Sequence, residues 1–99
     1  MMNQICIVED EESLGEMLRM NLEMEYYGVK LYNHGGRAME NIKDLIASDL
    51  LILDVMLPEK SGLEICAEVR KFSQVPILIL SAKGLTSDRI QGLKLGAND

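Results

Sequence analysis

The sequence predicts an α/β domain built on a doubly wound parallel sheet, and three observations carry that prediction. Short β-branched apolar runs alternate with segments of helical period, four times along the chain. The runs are continuously apolar, the pattern of strands covered by helices on both faces. The three strongest runs each stop abruptly on polar residues: Glu9 and Asp10, Asp54, and Ser81. With right-handed crossovers, such a chain winds helices onto both faces of one sheet.

The elements follow in order. Ile5-Cys6-Ile7-Val8 forms the first strand and ends at Glu9-Asp10-Glu11-Glu12. From Ser13 the spacing becomes helical, with Leu14, Met17, Leu18 and Leu22 on one face and Met20 and Met24 widening the stripe. This Met spacing reads as core or helix packing rather than as a ligand box. Gly28 stops the helix, and residues 29–32 form a weak second strand. Gly35-Gly36 breaks it. Ala38, Met39, Ile42, Leu45 and Ile46 trace a second helix, and Leu50-Leu51-Ile52-Leu53 is a third strand ending on Asp54. A loop with Pro58 and Gly62 leads to a third helix through Leu63, Cys66, Val69 and Arg70. Pro76 introduces the fourth strand, Ile77-Leu78-Ile79-Leu80, and residues 85–97 hold a fourth helix with Ile90, Leu93 and Leu95 inward.

Composition excludes several function classes. A chain of 99 residues with 47 % apolar and 26 % charged residues is one small globular domain. Sixteen acids against ten Lys plus Arg give a net charge of -6, which argues against direct nucleic-acid contact by this segment. No run approaches the ~20 apolar residues of a membrane helix. The residues from 9 on turn acidic too soon for a secretory signal. Cys6 and Cys66 sit in apolar patterns and read as buried thiols of a reduced, cytoplasmic protein. The lone His34, in a loop-like Asn-His-Gly-Gly stretch, reads as a surface residue.

In a parallel sheet all C-terminal strand ends lie along one edge, where ligands bind. Glu9, Asp10, Asp54 and Ser81 therefore converge there. Three adjacent carboxylates repel, and a hard divalent cation such as Mg²⁺ relieves the repulsion. An aspartate can also act as a nucleophile toward phosphorus. Blander readings exist beside these. Acids at residues 9–12 favour a helix N-terminus, the reading preferred for Glu11 and Glu12. Asp54 could cap a turn, although ending a buried strand on a charge is costly without a partner. Ser81 could be an N-cap.

Ile7-Val8-Glu9-Asp10-Glu11, Leu53-Asp54-Val55-Met56-Leu57-Pro58, Ser61-Gly62-Leu63-Glu64 and Leu80-Ser81-Ala82 together resemble the receiver domain of two-component response regulators. Asp88-Arg89-Ile90 and Leu95-Gly96-Ala97-Asn98-Asp99 resemble that family's fourth helix and following turn. The resemblance runs in order over the whole chain and is strongest to receivers attached to winged-helix DNA-binding domains. It implies a flavodoxin-like sheet with strand order 2-1-3-4. It implies Asp54 as phosphoacceptor, with Glu9, Asp10, Asp54 and the Met56 carbonyl as Mg²⁺ ligands. Ser81 would be the switch hydroxyl that contacts the phosphoryl group, beside the small Ala82. The implied function is a signalling switch rather than a metabolic enzyme, able to promote its own phosphorylation and dephosphorylation. The implied partners are a sensor histidine kinase and a DNA-binding output domain outside this chain.

By the same resemblance, residues 1–99 form one receiver domain cut before its fifth strand and helix, which carry the family's Lys-Pro pair and aromatic switch residue. That predicts an open edge on the fourth strand and an unpartnered apolar stripe, Met residues included, on the first helix, and with them either marginal stability alone or self-association through both. Competing readings are weaker. A haloacid dehalogenase-type phosphatase resembles a pattern with a second acid where this chain has Met56. A nucleotide- or flavin-binding module wants a Gly- or Ser/Thr-rich loop after the first strand, and that loop here is acidic. A receiver fold used only for protein contacts stays open because the family lysine is missing.

Overall fold

A computed structural model of the chain describes residues 3–55, 57 and 61–80. The described elements are β1 (Gln4–Val8), α1 (Glu12–Met24), β2 (Gly28–Tyr32), α2 (Gly35–Glu40), α3 (Ile42–Ala47), β3 (Leu50–Asp54), α4 (Gly62–Arg70) and β4 (Ile77–Leu80). The strands form one parallel sheet in the order β2-β1-β3-β4. The helix predicted over 85–97 lies outside the described residues.

Each central strand sends alternate side chains into two cores. Cys6, Val8, Leu51, Leu53, Ile77 and Ile79 pack with Ala38, Leu45, Ile65, Cys66 and Val69 from α2, α3 and α4. Ile5, Ile7 and Ile52 face the other way, under Leu18 and Leu22 of α1. This is why the runs read as continuously apolar: both faces of β1 and β3 are covered, and each fully buried aliphatic side chain contributes about 1.5–3 kcal/mol.

Three expectations are corrected. First, the single second helix is two. Asn41, at φ -117° and ψ 35°, leaves helical geometry and its carbonyl starts α3 by accepting from Asp44 and Leu45. Second, β2 does end before Gly35-Gly36, but the glycine pair itself opens α2 and His34 is no loop residue: it is the N-cap and accepts the Arg37 N–H at Nδ1. Third, Met17 faces outward and is 51 % exposed, with Met20 and Met24 at 57 % and 74 %. The buried residue of α1 is Gly15, where a Cβ would come within 3.1 Å of Leu31. Close approach there turns Leu18 and Leu22 to the sheet and Met17, two residues past Gly15, away from it. β4 also departs from a fully covered strand. Leu78, paired with Ile52 on the α1 side, is 38 % exposed, because α1 lies over β1 and β2.

Candidate functional site

β1 and β3 are neighbours, with Val8 opposite Leu53, so the residues that follow them emerge side by side. Backbone bonds hold both ends in place: the Glu9 N–H donates to the Tyr32 carbonyl at 3.0 Å, and the Val55 N–H donates to the Leu80 carbonyl at 3.0 Å. Glu9 is 2 % exposed and Asp54 8 %, while Asp10 is open to solvent. One carboxylate oxygen from each of the three lies within 4.8 Å of the others.

The electrostatics are set by burial. Desolvation, then a hydrogen bond to the Asp54 carboxyl, then the charges of Asp54 and Asp10 push the Glu9 carboxyl up to about 8. The Glu11 N–H, donating to Glu9 Oε2 at 3.2 Å, opposes this only in part. A proton on Glu9 lets it hydrogen-bond Asp54 and relieves the charge repulsion. The same donor set suits a hard cation, which takes carboxylate oxygens and replaces the proton. The residues present therefore fit Mg²⁺.

The next residues of the acid run shape α1. Glu11 is its N-cap, and its carboxylate accepts from the Ser13 and Leu14 N–H groups at 3.3 and 3.1 Å. Glu12 lies in the first turn. On the far side of β3, Ser61 caps α4 by accepting the Glu64 N–H at 3.2 Å. Gly62 rests directly on the Asp54 peptide, where a Cβ would overlap the Asp54 carbonyl oxygen, and its N–H donates to the Val55 carbonyl at 3.1 Å. The tightness of that contact was not readable in sequence, where Gly62 signalled only a turn before a helix.

Of the predicted site residues, the structure brings Glu9, Asp10 and Asp54 together. Met56 and Ser81 lie outside the described residues. Cys6 and Cys66 are buried thiols outside any disulfide, and His34 is a helix cap.

The sequence model of the response regulator receiver domain matches residues 5–99. The chain belongs to that family. The transcriptional regulatory protein CpxR of Escherichia coli K12 is 41 % identical over 98 residues, which are 99 % of this chain and 41 % of that protein. The uncharacterized transcriptional regulatory protein YrkP of Bacillus subtilis is 42 % identical over 96 residues, again 41 % of its length. The chain thus spans about two fifths of the curated relatives it matches. Among solved structures, the BeF3-activated N-terminal receiver domain of Klebsiella pneumoniae RstA superposes with a TM-score of 0.88 at 34 % identity, covering 96 % of this chain and 80 % of that one. A putative response regulator from Chloroflexus aurantiacus gives 0.90 at 35 %, covering 100 % and 83 %. This receiver domain has the expected flavodoxin-like sheet in the order 2-1-3-4. Among its described residues, no helix is long and apolar enough to cross a membrane.

Proposed function

We propose that this receiver domain takes a phosphoryl group on Asp54 from a sensor histidine kinase, in a Mg²⁺-dependent reaction within the cytoplasm. The supporting observation is the placement of Asp54: at the end of a buried strand, hydrogen-bonded to Glu9 and beside Asp10. Glu9, Asp10 and Asp54 hold the cation, with the Met56 carbonyl completing the set. When bound, Mg²⁺ neutralises the carboxylates and the oxygens of the phosphoryl group in transfer. Asp54 is the nucleophile. Its carboxylate oxygen then forms the bond to phosphorus as the donor's bond to phosphorus breaks. Burial of Glu9 and Asp54 keeps bulk water from competing at the site. Ser81 contacts the phosphoryl group and transmits its arrival. The relatives are transcriptional regulators, which supports a DNA-binding output domain as the responder.

The test uses Mg²⁺, acetyl phosphate and intact mass. One phosphoryl adduct is expected, abolished by Asp54→Asn and by EDTA. An adduct that survives Asp54→Asn, or forms equally in EDTA, refutes the assignment.

A further inference from the structure

Only residues 9–11 join β1 to α1, and two of them, Glu9 and Asp10, supply acids to the candidate site. The third, Glu11, has each of its polar groups in use. Its N–H donates to Glu9 Oε2 at 3.2 Å. Its carbonyl accepts the Gly15 N–H at 2.9 Å. Its carboxylate accepts the Ser13 N–H at Oε1 and the Leu14 N–H at Oε2. One residue thus ties the buried Glu9 carboxylate to the first turn of α1.

Both ends of that tie are anchored. Gly15 is buried, and a Cβ there would stand 3.1 Å from Leu31 and 3.8 Å from the Glu9 Cβ, so the first turn of α1 lies close on the ends of β1 and β2. The Glu9 N–H is held by the Tyr32 carbonyl. Between these anchors Glu11 is extended, at φ -80° and ψ 107°. The direction of its N–H depends on what holds Glu11 itself, and its cap bonds supply that hold. An uncapped first turn leaves N–H groups unsatisfied and frays. The Glu11 peptide would then swing off Glu9, and Asp10, placed between the two, would lose its direction as well. Both Glu11 carboxylate oxygens are taken by helix N–H groups, and the clustered carboxylates are those of Glu9, Asp10 and Asp54. Glu11 therefore acts on the cluster through its backbone.

We infer that Glu11 is a positioning residue for the acid cluster: by capping α1 it aims its own N–H at Glu9 and fixes the loop that carries Asp10. This role rests on the reading of Glu9, Asp10 and Asp54 as a Mg²⁺ site, and it extends that site to a residue that does not hold the cation.

The experiment is a Mg²⁺ titration of the ¹⁵N-labelled chain, followed at the amides of residues 9–11, at a temperature where every variant is folded. Glu11→Ala removes charge and cap together, whereas Glu11→Ser removes the same charge and returns a capping oxygen. Glu11→Ala should weaken Mg²⁺ binding at least about tenfold, the loss typical of a group that orients a metal ligand. Glu11→Ser should stay within about threefold of the parent, since Ser is among the preferred N-caps. Arg19→Ala breaks the mid-helix clamp on Glu16 and Glu23, so it loosens α1 away from the loop and should change affinity less than about twofold. In EDTA, the residue-11 amide proton should show the shallow temperature dependence of a hydrogen-bonded group in the parent and Glu11→Ser, and a steeper one in Glu11→Ala. Equal Mg²⁺ affinity of parent and Glu11→Ala overturns the role. So does a Glu11→Ser chain as weak as Glu11→Ala, which assigns the effect to charge, or an equal loss in Arg19→Ala. A parent chain that binds no Mg²⁺ overturns the metal reading instead. The amide in EDTA then decides alone: an unchanged residue-11 proton in Glu11→Ala refutes positioning by the cap.

Discussion

Gly62→Ala tests the joint between α4 and the candidate phosphoacceptor. A helix-propensity argument alone says the change should help, since Ala is favoured over Gly by up to about 1 kcal/mol in a helix. The structure says the opposite. The added Cβ would overlap the Asp54 carbonyl oxygen and stand 2.8 Å from the Asp54 carbonyl carbon and 3.0 Å from the Val55 Cα, where ordinary contact begins at 3.4 Å. All three atoms are backbone, so no side chain can rotate away. Either α4 retreats by about an ångström, lifting Ile65, Cys66 and Val69 from the core, or the end of β3 is displaced. Overpacking of this kind costs about 1–3 kcal/mol, and a rigid neighbour places it at about 2–3. For a domain of this size that lowers the melting temperature by about 10–20 °C. Thermal unfolding followed by circular dichroism measures it. A variant that melts at or above the parent temperature would show that the contact relaxes at no cost and would sink the reasoning. Acetyl phosphate labelling adds a second readout: the fraction that stays folded should label more slowly, because Asp54 has been moved.

Three other predictions rest on separate features. Tyr26 holds φ 69° at the end of α1, with its N–H donating to the Glu23 carbonyl and the Tyr27 N–H to the Leu22 carbonyl, the double bond of a helix stop that favours Gly. Its ring is 84 % exposed, so Tyr26→Gly loses little packing and should stabilise the chain by about 1 kcal/mol in urea unfolding; a destabilised variant would show that the ring carries contacts. In EDTA the folded chain holds the Glu9 proton more tightly than the unfolded chain, so metal-free stability should fall as pH rises from about 4.5 toward about 8. Glu9→Gln, which keeps a donor toward Asp54, should flatten that slope in urea unfolding at several pH values; an unchanged slope would clear Glu9 of the effect. Burial pushes both the Cys6 and Cys66 thiols up, so a thiol reagent should label them no faster than the chain unfolds; rapid native-state labelling at either would contradict their burial.

Legibility in the sequence followed the length scale of the physics. A strand covered on both faces needs an apolar residue at every position, and β1 and β3 therefore announced themselves as Ile5-Cys6-Ile7-Val8 and Leu50-Leu51-Ile52-Leu53. Parallel pairing then forces Glu9 and Asp54 to one edge whatever the loops do, so the convergence of the acids could be read before any coordinates. A place for Glu11 and Glu12 at the helix N-terminus was readable too, while the capping bonds of Glu11 emerged only in the structure. What escaped depends on how elements seat against each other. Outward rotation of Met17 follows from the close approach of Gly15 to Leu31, a contact sixteen positions away in the chain. The division of α2 from α3 turns on one residue, Asn41, whose apolar neighbours keep a helical period across the break. His34 looked like loop because an imidazole is an uncommon N-cap beside Ser, Thr, Asp and Asn.

The proton held by Glu9 beside Asp54 explains why this acid cluster is not merely decoration on a strand end. A single buried carboxylate can be held by backbone donors, and Glu9 has one such donor in the Glu11 N–H. A second buried carboxylate beside it, that of Asp54, adds repulsion. Replacing the pair with apolar residues would relieve desolvation and repulsion together, so the folded state gains nothing from keeping two acids there. Positive charge between the carboxylates relieves the repulsion, as a proton on Glu9 or as a divalent cation. The destabilising feature of the fold and the reactive feature of the site are thus the same pair of oxygens, which is why stability in EDTA and phosphorylation in Mg²⁺ should respond oppositely to Glu9→Gln.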